Sequence, residues 1–362
     1  MSSAVDRKKR FVELKSNRIE HPSSISFPPV GAYEHEDVFS IEKFQKTFKV
    51  QVIKLTDDHI EFDFVGIDAA LANAIRRILL AEVPTMAIEN VYVKNNTSVL
   101  HDELLCHRLG LIPIYADPRQ FDFKFAEDEA TDINTIVLSL NVKCTHNPSA
   151  PAGASDPNVR YINSTAFSRD IKWVPQGPQA ERFAEDPIRP VHDAIEIIRL
   201  RPGQELDIDM HCVKGIGKIH AKWSPVSTAF YRIMPQIDIL KPIPSELVDK
   251  FVDCFSPGVM TVSTDSKTGT KTVSVANARN DSMSREVMRH PEFADSVRIS
   301  RVRDHFIFSV ESVGMLPSAV LVQESIKVLR EKAMRVKLEL NQLITNSNGE
   351  TGAGDADVSE AS

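Results

Sequence analysis

The chain has 362 residues, 42% of them hydrophobic and 26% charged, with a net charge of −7. That length exceeds one ordinary core and suits two domains with tails, and the composition is that of a globular protein. An acidic balance speaks against gripping nucleic-acid phosphates as the main activity, and no apolar run approaches the ~20 residues a bilayer crossing needs.

Residues 1 to 45 read as an N-terminal extension. They are polar and charged, unlike a signal peptide. They hold the basic run Arg7-Lys8-Lys9-Arg10, a candidate nuclear address, and then Pro22, Pro28 and Pro29. Residues 47 to 65 predict a β-hairpin. Phe48, Val50 and Val52 alternate with polar residues, as do Ile60, Phe62 and Phe64, and Thr56-Asp57-Asp58 supplies the turn.

The stretch 66 to 84 predicts one amphipathic helix. Ile67, Ala70, Leu71, Ala74, Ile75, Ile78, Leu79 and Val83 fall on one face, Asp68 is a suitable N-cap, and Pro84 ends it. Its polar arc carries Arg76 and Arg77. A strand from Thr85 to about Val99 follows, then a short helix over 101 to 114, an acidic loop at 126 to 134, and an alternating strand over Ile136 to Val142. Turn-rich loops occupy 145 to 158 and 174 to 190. Strands at 195 to 200 and 206 to 213 flank the turn Arg201-Pro202-Gly203, and a basic turn covers 214 to 222. An extended stretch between Pro225 and Pro235, a short helix at 244 to 255, a hairpin at 258 to 275 and a strand at 305 to 310 complete the middle of the chain.

The last predicted element is the longest. Between Pro317 and about Thr345 nothing breaks a helix. Val322, Ile326, Leu329, Ala333, Val336, Leu340 and Leu343 recur at spacings of four and three. That is a coiled-coil-like seam rather than a wide apolar face. A helix of about 28 residues is roughly 42 Å long, wider than a small domain, so part of the seam predicts contact with another chain. The tail after Asn346 holds Glu350, Asp355, Asp357 and Glu360 and reads as disordered.

No catalytic constellation stands out. GxSxG and HExxH are absent. Gly215-Ile216-Gly217-Lys218 lacks the spacing and the Ser or Thr of a phosphate loop, so it reads as a tight turn. Lys214, Lys218, His220 and Lys222 form a basic cluster that suits an acidic partner. His101, Cys106 and His107 do not share a helix face and lack a fourth ligand, and His211 and Cys212 point to opposite faces of a strand. The cysteines at 106, 144, 212 and 254 are too far apart for a CxxC pair and read as free thiols in a reducing compartment.

Five stretches, in order, carry a resemblance: AALANAIRRILLAEVPTMAI (69 to 88), HRLGLIPI (107 to 114), RLRPGQEL (199 to 206), GIGKIHAKWSPV (215 to 226) and FSVESVGMLP (308 to 317). Across about 47 to 345 the chain resembles the alpha-like subunits of multisubunit DNA-directed RNA polymerases. Within that family it is most similar to the larger alpha-like subunit shared by nuclear RNA polymerases I and III.

The resemblance implies an α+β chain in which a ferredoxin-like dimerisation domain (46 to 85 and 226 to 346) is split by an inserted β-rich domain (86 to 225). It implies a nuclear and nucleolar, non-catalytic assembly subunit serving transcription of rRNA precursor, 5S rRNA and tRNA. The partners implied are the smaller alpha-like subunit as heterodimer, then the largest, second-largest and small zinc-bearing subunits, with DNA reached only through the complex. The dimer interface would use Leu71, Ala74, Ile75, Ile78, Leu79, Val322, Ile326, Leu329, Ala333, Val336 and Leu340. Arg76, Arg77, Lys218 and Lys222 would be contacts to large subunits. The RNA polymerase II counterpart typically has a four-cysteine zinc loop early in its insert, and some archaeal relatives carry iron–sulfur cysteines there. This stretch has only Cys106, Cys144 and Cys212, so neither metal nor cofactor is expected. The bacterial subunit is disfavoured because its C-terminal DNA-binding domain has no counterpart in this short tail.

Overall fold

Apolar alternation along the chain builds two main sheets. The computed structural model describes residues 10–20, 40–151, 153, 155–266 and 269–350, the side chains of 346–350 excepted. The basic run except Arg10, the three prolines of the extension and the tail beyond Glu350 lie outside the described residues.

In chain order come strands β1 (Phe11–Leu14) and β2 (Ile19–Glu20), helix α1 (Ile41–Thr47), the hairpin of β3 (Lys49–Leu55) and β4 (His59–Val65), and helix α2 (Ala69–Ala81). Next are β5 (Pro84–Asn96), α3 (Asp102–Gly110), β6 (Thr135–Lys143), β7 (Thr165–Phe167), β8 (Ile171–Trp173), β9 (Glu196–Arg199) and β10 (Glu205–Ile216). Then follow β11 (Val226–Ile239), α4 (Val248–Asp253), β12 (Met260–Thr264), β13 (Lys271–Val275), β14 (Val297–Ser312) and α5 (Ser318–Glu350).

The larger sheet has the order β2-β1-β14-β4-β3, with β11 also paired to β14. Part of the extension is therefore built into this sheet: Phe11 stands opposite Val302 and Leu14 opposite Ile299. A four-residue strand is too short for periodicity to reveal, and its pairing comes from nearly three hundred residues away. Along β4 the pleat sorts side chains by face. Phe62 and Phe64 turn inward, and each ring lies 5.1 Å from that of Phe308 on β14. Asp63, between them, meets charge instead. Arg279 Nη1 donates to both Asp63 carboxylate oxygens at 2.7 Å, Arg279 Nη2 to Glu61 at 2.6 Å, and His305 Nε2 lies 2.9 Å from Asp63 Oδ2. Burial works against the Arg279 charge, but Asp63 and Glu61 outweigh it and hold the guanidinium pKa above its usual value. A neighbouring cluster gathers Leu14, Ile237, Val248, Phe251, Val259, Phe293 and Ile299.

The second sheet has the order β8-β6-β10-β5. Ile136, Leu138 and Leu140 of β6 and Ile208, Met210 and Cys212 of β10 are fully buried, and Leu105 and Leu109 of α3 join the same core. Arg108 Nε, also on α3, donates to the Ile197 carbonyl at 3.0 Å. β9 pairs with β7 as a separate ribbon.

The chain divides into two compact units. One comprises residues up to Lys54, Glu61–Asn73 and Phe230–Ser309; the other comprises Leu55–Ile60, Ala74–Ala229 and the residues from Val310. The long C-terminal helix thus groups with the β-rich unit.

Candidate interaction surface

The opening helix is shorter than periodicity predicts, running over Ala69–Ala81. Gly66 takes φ +77, and a Cβ there would come within 2.6 Å of the Thr47 carbonyl oxygen, so the chain must turn before the helix begins. The Ala70 N–H donates to Asp68 Oδ1 at 2.7 Å, the capping contact expected of that aspartate. At the far end Pro84 does not end the helix; it starts β5. The helix face differs from expectation in one respect that matters. Ile75, Ile78 and Leu79 are buried inside this chain, so they hold the helix in its own fold and are not surface for a partner. Leu71 is 38% exposed and Ala74 half-buried.

α5 spans 33 residues rather than 28 and is therefore about 50 Å long. Its beginning is anchored. Ser318 Oγ donates to the Thr56 carbonyl at 2.8 Å, the Ser318 N–H donates to that of Asp57 at 2.7 Å, and Leu321 and Ser325 are fully buried. Further along, Lys332 Nζ donates to both oxygens of Glu82, just past α2, at 2.8 Å. The buried stripe of Ser318, Leu321 and Ser325 lies beside the seam rather than on it. Val322 and Leu329 are half-buried; Ile326, Ala333, Val336 and Leu340 are exposed. From Glu331 to Thr345 every residue is exposed, including Met334, Val336, Leu338, Leu340, Leu343 and Ile344. Isolated exposed apolar residues are ordinary; six of them on one helix over about four turns make this the candidate interaction surface.

The basic cluster does not form the free cationic face that its sequence suggests. Lys222 Nζ donates to the Ile88 carbonyl at 2.7 Å and pairs with Glu89, and the ammonium sits 4.5 Å from the Trp223 ring centroid. Lys222 is thus tied into the fold of its own chain. Lys214 Nζ donates to the Phe121 carbonyl at 2.8 Å, and burial lowers its pKa. His220 Nδ1 accepts the Lys222 N–H at 3.1 Å. Lys218 and Arg77 are exposed, and Arg76 is half-buried.

The two glycines of the Gly-Ile-Gly-Lys stretch have a packing reason. Gly215 lies at the end of β10, where a Cβ would strike the Trp223 ring; at Gly217 it would strike the Leu80 carbonyl. The turn itself starts at Ile216, whose carbonyl accepts from the Ile219 N–H at 3.0 Å.

A cleft of about 410 Å³ is lined by Tyr92, Cys106, His107, His220 and Lys222, among others. Among the described residues no three His, Cys, Asp or Glu side chains stand where they could share a metal ion. Desolvation raises the thiol pKa of all four cysteines, most strongly that of the fully buried Cys212. None is thereby an activated nucleophile. No described helix is long and apolar enough to cross a membrane.

Comparison with known proteins gives this surface a context. The family profile of the RNA polymerase Rpb3/Rpb11 dimerisation domain matches residues 61–333. The DNA-directed RNA polymerases I and III subunit RPAC1 of Mus musculus is 51% identical over 342 residues, 94% of this chain and 98% of the relative. Its Homo sapiens counterpart is 50% identical over the same shares. That of Saccharomyces cerevisiae is 46% identical over 90% of this chain and 97% of its own length. A profile that matches most of the chain, and relatives of about half identity that span nearly all of it, lead to one assignment: the chain belongs to the RNA polymerase Rpb3/Rpb11 dimerisation-domain family.

Proposed function

We propose that this chain is a non-catalytic assembly subunit shared by nuclear RNA polymerases I and III. It heterodimerises with the smaller alpha-like subunit and so forms the platform for the two largest subunits. The observation that carries the reading is the outer half of α5, whose apolar residues stay exposed over four turns while the helix base is anchored. A partner helix laid along Ile326, Leu329, Ala333, Val336 and Leu340 would remove that surface from water. Leu71 and Ala74 offer a smaller contribution on α2. Arg77 and Lys218, exposed cations, suit contacts to a large subunit, as does Arg76 at the edge of exposure.

The same reading assigns 46 to 85 and 226 to 346 to a split dimerisation domain and 86 to 225 to a β-rich insert. For the strands it is supported by the membership of the two main sheets: the larger draws its strands from both ends of the chain, the smaller from 84 to 216 only, while α5 groups by contacts with the unit that holds the smaller sheet. The chain works in the nucleus, and in the nucleolus as part of polymerase I.

Co-expression with the smaller alpha-like subunit tests the proposal. The expected result is a 1:1 complex, with this chain alone poorly soluble. A stable, soluble monomer with native packing would overturn it. Affinity purification from nuclei should recover subunits of both polymerases I and III.

A further inference from the structure

One surface is unused by the proposed function. Between β5 and β6 the chain runs FDFKFAEDEATDIN, residues 121 to 134, with no regular secondary structure. Its base is closed by Asp122 N–H donating to the Ile133 carbonyl at 2.9 Å. Its interior is held by its own polar groups. The Phe125 N–H donates to Asp128 Oδ2 at 2.8 Å, and the Asp128 N–H returns to the Phe125 carbonyl at 3.2 Å. The buried Asn134 accepts from Thr131 N–H at 2.8 Å and donates to the Glu129 carbonyl at 3.0 Å. Lys214 holds the stem, with its ammonium 4.9 Å from the Phe123 ring centroid.

The loop is thus ordered by local hydrogen bonds, yet it turns its largest apolar side chains outward. Phe125 is 72% exposed, Phe123 44% and Ile133 47%. Rigid, exposed aromatics are what a binding anchor requires, because little conformational entropy is lost when they are buried. The loop also carries Asp122, Glu127, Asp128, Glu129 and Asp132 against a single Lys124. That charge repels nucleic acid and anionic lipid alike and favours a positively charged protein surface.

We propose that residues 122 to 133 are a docking loop for a protein partner that offers an apolar pocket rimmed by arginine or lysine, with Phe125 as the anchor in the pocket and the carboxylates facing the rim. This goes beyond the heterodimer reading and does not depend on which polymerase the chain joins.

Site-specific photo-cross-linking on the full chain in cells tests it. Phe125→p-benzoylphenylalanine is compared with the same photoreactive residue replacing Val99, which is 81% exposed on a different loop. The expected result is a cross-link from position 125 to a peptide rich in Arg or Lys beside apolar residues, at least tenfold above that from position 99. Glu127→Lys with Glu129→Lys should abolish it. Equal labelling at both positions, a cross-link to an acidic peptide or to RNA, or one indifferent to the charge reversal would overturn the proposal. Because Phe125 is mostly in solvent, Phe125→Ala should leave the melting temperature unchanged, so loss of the contact is distinguishable from loss of the fold.

Discussion

Removing the apolar seam of α5 should weaken assembly without weakening the fold. Val336 is 55% exposed and Leu340 53% exposed in the isolated chain. Fully burying such a side chain contributes roughly 1.5–3 kcal/mol, so covering the remaining half contributes about 1 kcal/mol at each position. Val336→Ala with Leu340→Ala should therefore cost about 2 kcal/mol of heterodimer affinity, or roughly a 30-fold rise in Kd. Val336→Asp with Leu340→Asp should abolish the complex, since each carboxylate would enter the interface without a partner. The assay is competition of variant against wild-type chain for the smaller alpha-like subunit, read by fluorescence anisotropy. Neither pair should lower the stability of the chain's own core, because neither side chain is buried in it. Leu321→Ala is the counter-test: that side chain is fully buried at the helix base, and its loss should cost about 2–5 kcal/mol of fold stability. An unchanged Kd for the aspartate pair would show that the seam faces solvent in the complex, and the reasoning would fail.

Arg279→Met should destabilise the unit that holds it by about 3–5 kcal/mol, because Asp63, whose side chain is 6% exposed, keeps only His305 beside it; a melting temperature within a degree of wild type would contradict this. Gly217→Ala should cost about 1–3 kcal/mol through the Leu80 carbonyl clash, visible as faster limited proteolysis near 217. Lys222→Ala should lower thermal stability by about 1–2 kcal/mol by stripping the Ile88 carbonyl of its donor, whereas Lys218→Ala should leave it unaltered; equal effects of the two on stability would mean that the Lys222 tie contributes nothing. Calorimetry with nucleotides should show no heat of binding at the Gly-Ile-Gly-Lys turn, and a measurable affinity would return that stretch to the list of ligand sites.

Much of the molecule follows from local patterns. The β3–β4 hairpin, β6, β10, the short helices α3 and α4 and the long C-terminal helix all lie close to where their patterns predict them, because each signal sits within one continuous segment; α1 is not among them. The capping role of Asp68 is local for the same reason. The seam of α5 is legible as well: its apolar residues recur too narrowly to serve as a wide core face, and in the fold most of them stay in contact with water.

What tertiary structure alone decided concerns partners distant in sequence. Periodicity puts Ile75, Ile78 and Leu79 on the same apolar face as Leu71, yet the first three are consumed by the chain's own core and the fourth is not; the pattern records that a face is apolar, not which apolar surface covers it. Lys222 looks like a solvent cation until the fold sets it beside Glu89 and the Ile88 carbonyl, more than a hundred residues earlier. Phe11–Leu14 is hidden in a polar leader because a strand of four residues acquires its meaning only from Ile299–Val302. The sequence shows an acidic loop at 126 to 134, and only the folded chain shows that the loop begins earlier and leaves Phe123 and Phe125 exposed. Local spacing fixes which segments form elements, whereas the use of each side chain depends on contacts that the folded chain alone creates.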